Sequence, residues 1–366
     1  MSEFDRRTTP PIDALAVPWA GRVSLVEHLH AHLLPDDAGL SAAGQALPDE
    51  PQVTPETLRW APGALDGVMS HHMAGKDDRT EQVQILTSAL YDCARSDTDD
   101  VAIAKLAGLY ALLCEAQALQ VVDALSERIV EERAIPPQAL HGIARYLVEV
   151  AADREPLKLG LALLGLVAQP EDEELLVVAG SHDEFTLFAA VALMQSQPDP
   201  LPALWRLARR VHGWGRIHVI ERLARMGELP DALRDWLLCD GYRNDVMIEY
   251  TALLCAQVGR LQAALERESV SDAILDGAGQ ILSALLTTGG PAATMDDYGD
   301  GAAVLSAFLH HVERRPARLF DVGVIRGLVD WLDDEESWPE RQARGFSAEW
   351  RRDLRERCRA FLSRSG

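Results

Sequence analysis

Residues Pro202–Leu261 read PALWRLARRVHGWGRIHVIERLARMGELPDALRDWLLCDGYRNDVMIEYTALLCAQVGRL. Apolar residues recur there every three or four positions in four short runs, parted by Gly, Pro, Asn or Asp. That period with that punctuation predicts consecutive short helices, not strands. In the first run Leu204, Leu207, Ala208 and Val211 share one face, and Arg206, Arg209 and Arg210 hold the opposite one. The same texture continues in both directions. Helices are predicted over 79–95, 99–114, 117–132, 136–153, 156–168, 171–179, 183–195, 200–212, 214–226, 230–239, 244–257, 259–267, 270–286, 302–314, 318–333 and 347–364. The links between them are short, which favours antiparallel neighbours.

Leu109–Leu119 and Glu249–Leu261 are alike, each carrying Tyr, a Leu-Leu pair, Cys and Gln in that order before a following helix. Similar elements return at the spacing of paired-helix repeats, about 30–40 residues. The expected fold is all-α: a HEAT- or armadillo-like α-solenoid of antiparallel helix pairs. Four regions are expected. Residues 1–80 form an irregular N-terminal helical layer or cap, with a helix over 22–34, one or two turns near 40–47 and a helix opening at Thr54. Residues 81–286 form the repeat array and 287–303 a Gly-rich polar loop (TTGGPAATMDDYGDGAA). Residues 304–366 form C-terminal helices closed by an Arg-rich cap.

Charge narrows the function classes. The 366 residues carry 35 basic and 57 acidic side chains, a net −22. Such a chain repels nucleic acid and anionic membrane, and a basic protein is the better partner. Five Cys stand mostly in apolar helical text without a CxxC, so buried reduced thiols are expected. No apolar run is long enough to span a bilayer and no leader-like segment opens the chain, so a cytoplasmic protein is expected. The oligomeric state is not readable.

Acidic residues cluster where helices end: Asp97, Asp99 and Asp100; Glu131 and Glu132; Glu171–Glu174; Asp296, Asp297 and Asp300; Asp333, Asp334, Glu335 and Glu336. Stacked repeats would gather such ends along an edge, an acidic ridge able to steer a basic partner. The other reading is solubility together with acids at helix N-termini. Against this acidic background stands a basic island holding Trp205, Arg206, Arg209, Arg210, Trp214, Arg216 and Arg222. Either it holds an anionic ligand, or its arginines pair with acids on adjacent repeats, Glu249 or Asp245 for example.

Catalytic signatures are missing. There is no GxSxG, no phosphate loop and no dinucleotide fingerprint. His28 and His32 would share a helix face, with His71 or His72 as further metal ligands, but no HExxH accompanies them. No metal and no cofactor is therefore expected.

His212–Leu223 (HGWGRIHVIERL), Trp236–Gly241 (WLLCDG) and the block from Tyr250 to Gly259-Arg-Leu261 resemble bacterial helical proteins labelled limonene hydroxylase; Arg59–Asp66 (RWAPGALD) goes with them. That resemblance implies a monooxygenase, although the residues contain no haem-thiolate motif, iron facial triad or flavin fold. A fold-level likeness to toxin-neutralising immunity proteins implies partner binding instead. The expected function is a non-enzymatic protein-binding repeat, of the immunity or antitoxin kind, acting on a basic bacterial toxin. The alternative is an enzyme acting on a small molecule or nucleotide, with its site near Trp205–Arg225 and the 287–303 loop.

Overall fold

The computed structural model describes residues 17–50, 60–72, 79–96, 99–288, 290, 292–316 and 318–365. Among these the chain is all-α, and the only extended pairing is an isolated bridge between Leu33 and Leu40. It divides into two compact units, 1–219 and 220–366. The first unit holds 17 basic and 32 acidic residues, net −15; the second holds 18 and 25, net −7.

The first unit contains α1 (Leu25–Ala31), α2 (Ala64–His72), α3 (Thr80–Ala94), α4 (Asp99–Glu115), α5 (Ala118–Glu132), α6 (Pro137–Val150), α7 (Arg154–Gly165), α8 (Glu173–Gly180), α9 (Asp183–Ser196) and α10 (Leu201–Arg210); α11 (Trp214–Leu223) runs across the division. Helix α7 is its axis. From Pro156 to Leu164 nearly every side chain is buried, as in a helix enclosed on all sides. It packs against α4, α5, α6 and α9. Gly165 permits the closest approach, since a Cβ there would lie 2.8 Å from Ala192 Cα. One residue breaks the apolar text of α7: Lys158, 2% exposed.

Helix α6 ends at Val150, three residues before the expected 153. Tertiary bonds claim the backbone there. Ala151 O accepts from Leu25 N (2.7 Å), Ala152 O from Arg22 (2.8 Å), and Ala152 N donates to the Tyr110 hydroxyl (2.9 Å). The turns expected near 40–47 remain turns, and the helix opening at Thr54 lies outside the described residues.

The second unit contains α12 (Asp231–Trp236), which runs into a π-turn at Leu237–Gly241, then α13 (Glu249–Val258), α14 (Leu261–Leu265), α15 (Asp272–Leu285), α16 (Gly301–Glu313), α17 (Leu319–Asp333), α18 (Trp338–Ala343) and α19 (Ala348–Ser365). Helix α15 is central, packed against α13, α16, α17 and the π-turn. The 287–303 loop is docked rather than open: it closes on a 3-10 turn at Met295–Asp297, and Met295 and Tyr298 are buried. Helix α18 falls between the helices expected over 318–333 and 347–364, where none was expected. The paired blocks around Tyr110 and Tyr250 are not structural equivalents. Tyr and Cys are four residues apart in the first and five in the second, a rotation of about 100° on a helix. Tyr110 is accordingly fully buried with Cys114 exposed, whereas Cys255 is fully buried and Tyr250 only partly.

Candidate functional sites: charge clusters of the first unit

Three clusters of charge lie within the first unit. The deepest surrounds Lys158. Its Nζ lies 2.6 Å from Glu184 Oε1, 2.7 Å from Asp66 Oδ2 and 3.2 Å from Glu155 Oε1. Beside it Arg154 forks onto Asp49 through Nε and a terminal nitrogen, both 3.0 Å, and its backbone N–H donates to the same carboxylate. The second oxygen of each glutamate is also engaged: Glu184 Oε2 accepts from Gly63 N (2.9 Å) and Glu155 Oε2 from Ala118 N (2.7 Å). The cluster thus fastens the segment before residue 51, α2 and the start of α5 to α7 and α9.

Two of the four stretches that carried the family resemblance meet here; Trp236–Gly241 and Tyr250–Leu261 lie in the second unit. Asp183, next to Glu184, accepts from Gly213 N (2.9 Å) and Gly215 N (2.7 Å). Gly67 lies against the buried Trp214 ring, where a Cβ would come within 2.3 Å. His182, also buried, accepts from Glu184 N and faces Gln45 O at 3.3 Å. Trp60-Ala-Pro-Gly-Ala-Leu-Asp-Gly67 and His212-Gly-Trp-Gly-Arg216 are therefore two sides of one junction.

Burial pushes the Lys158 ammonium down, but Glu184, Asp66 and Glu155 outweigh it and hold the pKa above the ordinary lysine value. Such a lysine stays protonated and has no lone pair for nucleophilic or Schiff-base chemistry. Burial raises Asp66, with Lys158 only partly opposing. Burial would raise Glu184 too, but Lys158, the Gly63 N–H and Arg154 hold it low. Burial keeps His182 toward its neutral form. Four carboxylates face two cations, so the cluster is a charged pin with a spare proton site. A lone lysine in PLKLGLALLG was the signal that could have found it.

The second cluster is the basic island, and the structure separates its members. Arg206, Arg209 and Arg210 converge on one carboxylate, Asp37, in the turn after α1. Arg209 reaches Oδ2 at 2.6 Å, Arg210 forks onto Oδ1 at 2.7 and 3.0 Å, and Arg206 Nε stands 3.8 Å from Oδ1. Arg206 also pairs with Glu174 (2.8 Å), and Arg210 donates to Ser181 Oγ (3.1 Å). Trp205 lies under the Arg209 guanidinium at 5.5 Å. Burial alone would raise the Asp37 pKa; the three arginines hold it low. Trp214 and Arg216 belong to the interior instead, Arg216 donating from Nε to Val211 O (2.7 Å). Arg222 falls in the second unit. Asp37 stands 172 residues before Arg209, in text that read as broken coil, and no local pattern links them.

Of the third cluster only Glu171 and Glu174 stood out in the sequence, within the acidic run Glu171–Glu174. A cavity of about 440 Å³ opens where α1, α6, α8 and the 3-10 turn Pro170–Asp172 meet. Glu27, Glu149, Glu171 and Glu174 line it with His30 and Arg145, over a floor of Val26, Leu175 and Val178. Arg145 is spent on Asp172 and on Glu149 (2.9 Å), and the fully buried Asp172 also meets His141 (2.7 Å). Glu174 is taken by Arg206 from outside the cavity (2.8 Å), so the surplus carboxylates at the mouth are Glu27 and Glu171.

The acids expected to form a ridge are distributed differently. Asp97 lies outside the described residues, as do the side chains of Asp99 and Asp100 on α4. Glu131 is exposed, while Glu132 pairs with Tyr91 and Arg128. In the second unit Asp296 and Asp334 take Arg341, Asp297 takes Arg344, Asp333 takes Arg355 and Arg359, and Glu335 takes Arg351. Asp300 stands at the N-cap position of α16 without a side-chain capping bond, and it and Glu336 are exposed. Arginines of α18, of its C-cap and of α19 are the internal counter-charge for these clusters. The His28 and His32 rings lie 4.5 Å apart, tilted by 40°, with His32 Nδ1 against His28 O (2.8 Å). The side chains of His71 and His72 lie outside the described residues, and among the described residues no three metal-ligating side chains converge.

Comparison with protein-family models, curated proteins and solved structures matched none of them to the chain.

Proposed function

We propose that the chain is a non-enzymatic helical repeat that binds a basic protein through the acidic cavity of its first unit. That cavity carries the reading. It is concave, floored by aliphatic side chains and rimmed by four glutamates; Arg145 holds Glu149 and Arg206 holds Glu174, which leaves Glu27 and Glu171 without a paired cation among the described residues. A Lys or Arg side chain projecting from a partner fits such a mouth, with its stem on the floor and its head among the carboxylates. The net −15 of the first unit supports the same reading by steering a cationic surface toward it. Covering the cationic face of a basic toxin is an activity this arrangement suits. Next-but-one helices are neighbours in both units, α3 with α5, α5 with α7, α7 with α9, α13 with α15 and α15 with α17. That pattern supports stacking of paired helices as in a HEAT-like solenoid.

The test is titration calorimetry with Arg- and Lys-containing peptides of equal charge. Wild type should bind with an affinity that falls as salt rises from about 0.05 to 0.3 M. The variant Glu27→Gln/Glu171→Gln/Glu174→Gln should lose about tenfold or more of that affinity. Neutralising Asp300 and Glu336, outside the cavity, should leave most of it. Equal binding by the two variants would overturn the reading.

A further inference from the structure

We propose that Arg206, Arg209 and Arg210 form a phosphoryl-binding site which the chain keeps closed with its own Asp37 carboxylate. Three guanidinium groups from one helix face meet a single carboxylate. Two of its contacts are satisfied and the third is not: Arg209 and Arg210 hold Asp37 at 2.6 and 2.7 Å, while Arg206 Nε stands at 3.8 Å, beyond hydrogen-bond range. A carboxylate has two oxygens. A phosphoryl group offers three, and the third would meet Arg206, which Glu173 and Glu174 approach from its other end.

The site is built before any ligand arrives. Arg210 is nearly buried and braced by Ser181, and Arg209 is seated on the Trp205 ring. It is also reachable: the Arg209 side chain is 41% exposed and Asp37 21%.

The closing element is held in an uncommon backbone. Asp36 and Asp37 are consecutive non-glycine residues in the left-handed region, with φ of 59° and 56°. Gly39, at φ 85°, presses on the Arg210 carbonyl, where a Cβ would lie 2.4 Å away. The turn is closed by Leu34 N to Gly39 O at 2.8 Å. Successive left-handed residues persist only where their surroundings enforce them, and here the enforcing contact is Asp37 on its arginines. A phosphoryl group taking those arginines frees the turn to relax. Asp37 is then a built-in competitor that lowers the apparent affinity by the fraction of time it occupies the site.

The experiment is calorimetric titration of the full chain with inorganic phosphate and with phosphoserine near pH 8, where phosphoserine is dianionic and inorganic phosphate mostly so. Asp37→Asn should bind at least about tenfold more tightly than wild type. Asp36→Asn, which changes the net charge equally, should show no gain. Adding Arg209→Ala to Asp37→Asn should abolish the gain. Tighter binding of phosphoserine assigns a phosphomonoester ligand, and tighter binding of inorganic phosphate assigns the free anion. Equal affinities in the two Asn variants overturn the proposal, as does a gain that survives Arg209→Ala. Should Asp37→Asn fail to fold, Asp37→Gly keeps the left-handed backbone accessible, and wild type supplies an independent reading. Saturating phosphate should accelerate hydrogen exchange at the Leu34 amide while α7 stays unchanged; unaltered exchange at Leu34 under saturation overturns the proposal.

Discussion

Lys158 concentrates the energetics of the first unit in one side chain. Removing one partner of a buried ion network leaves charge without compensation and costs about 3–5 kcal/mol. Lys158→Met keeps the stem and deletes the ammonium, so three carboxylates would face one another. The folded-state pKa values of the buried Asp66 and Glu184 then rise above the unfolded values, and such groups add stability below the unfolded value that is lost as pH rises through the folded one. The variant's deficit should therefore be largest at neutral pH and shrink on acidification toward the carboxylate range. In wild type the two key acids pull oppositely. Glu184, held low, contributes stability above its unfolded pKa that is lost as pH falls through its folded value. Asp66, held high, contributes below its unfolded pKa, and that part is lost as pH rises through its folded value. Urea unfolding at neutral and mildly acidic pH measures this; a deficit independent of pH would assign the loss to packing around the lysine stem instead.

Single elements show how burial sorts ion pairs that look alike in the sequence. Arg341 of α18 is 1% exposed, forks between Asp296 and Asp334, donates to Trp331 O at 2.7 Å and lies 4.4 Å over the Trp331 ring. Arg359 of α19 meets Asp333 at 2.7 Å with its side chain 56% exposed. An exposed pair contributes at most about 1 kcal/mol, whereas breaking a buried one costs about 3–5 kcal/mol. Arg341→Met should shift the urea midpoint several times further than Arg359→Met, and equal shifts would contradict the assignment of α18 as the anchor.

The same contrast marks what the sequence could reveal. Long helices such as α4, α5 and α19 were legible because their apolar period is set locally. Helix α18 was not: six residues offer little more than one turn, and its identity rests on where Trp338 and Arg341 are buried. The end of α6 was missed because Leu25, Arg22 and Tyr110, all distant in sequence, take its last carbonyls and amide. Of the candidate sites, the arginine face of α10 was visible, but its acid partner Asp37 was hidden by separation. Of the acidic cavity the run Glu171–Glu174 was visible, but Glu27 and Glu149, which complete it, lie on distant helices.

Across the whole molecule the acidic surplus sets a background that individual pairs do not remove. A net −22 chain repels itself in the compact state, and added salt screens that repulsion while weakening surface pairs that contribute little. The urea midpoint should therefore rise between about 0.01 and 0.3 M sodium chloride. A fall would mean that the exposed Arg–carboxylate pairs outweigh the repulsion.

The docking of α19 also orders events during synthesis. Its arginines reach back to acids made 16 residues earlier at Glu335 and 44 earlier at Glu313. Domains emerge from the ribosome in chain order and fold as units. As the second unit emerges, α16 and α17 carry unneutralised carboxylates until α19 clears the exit tunnel. Its final packing waits for that helix, and a translation pause before residue 348 would prolong an acidic, half-assembled state open to chaperones.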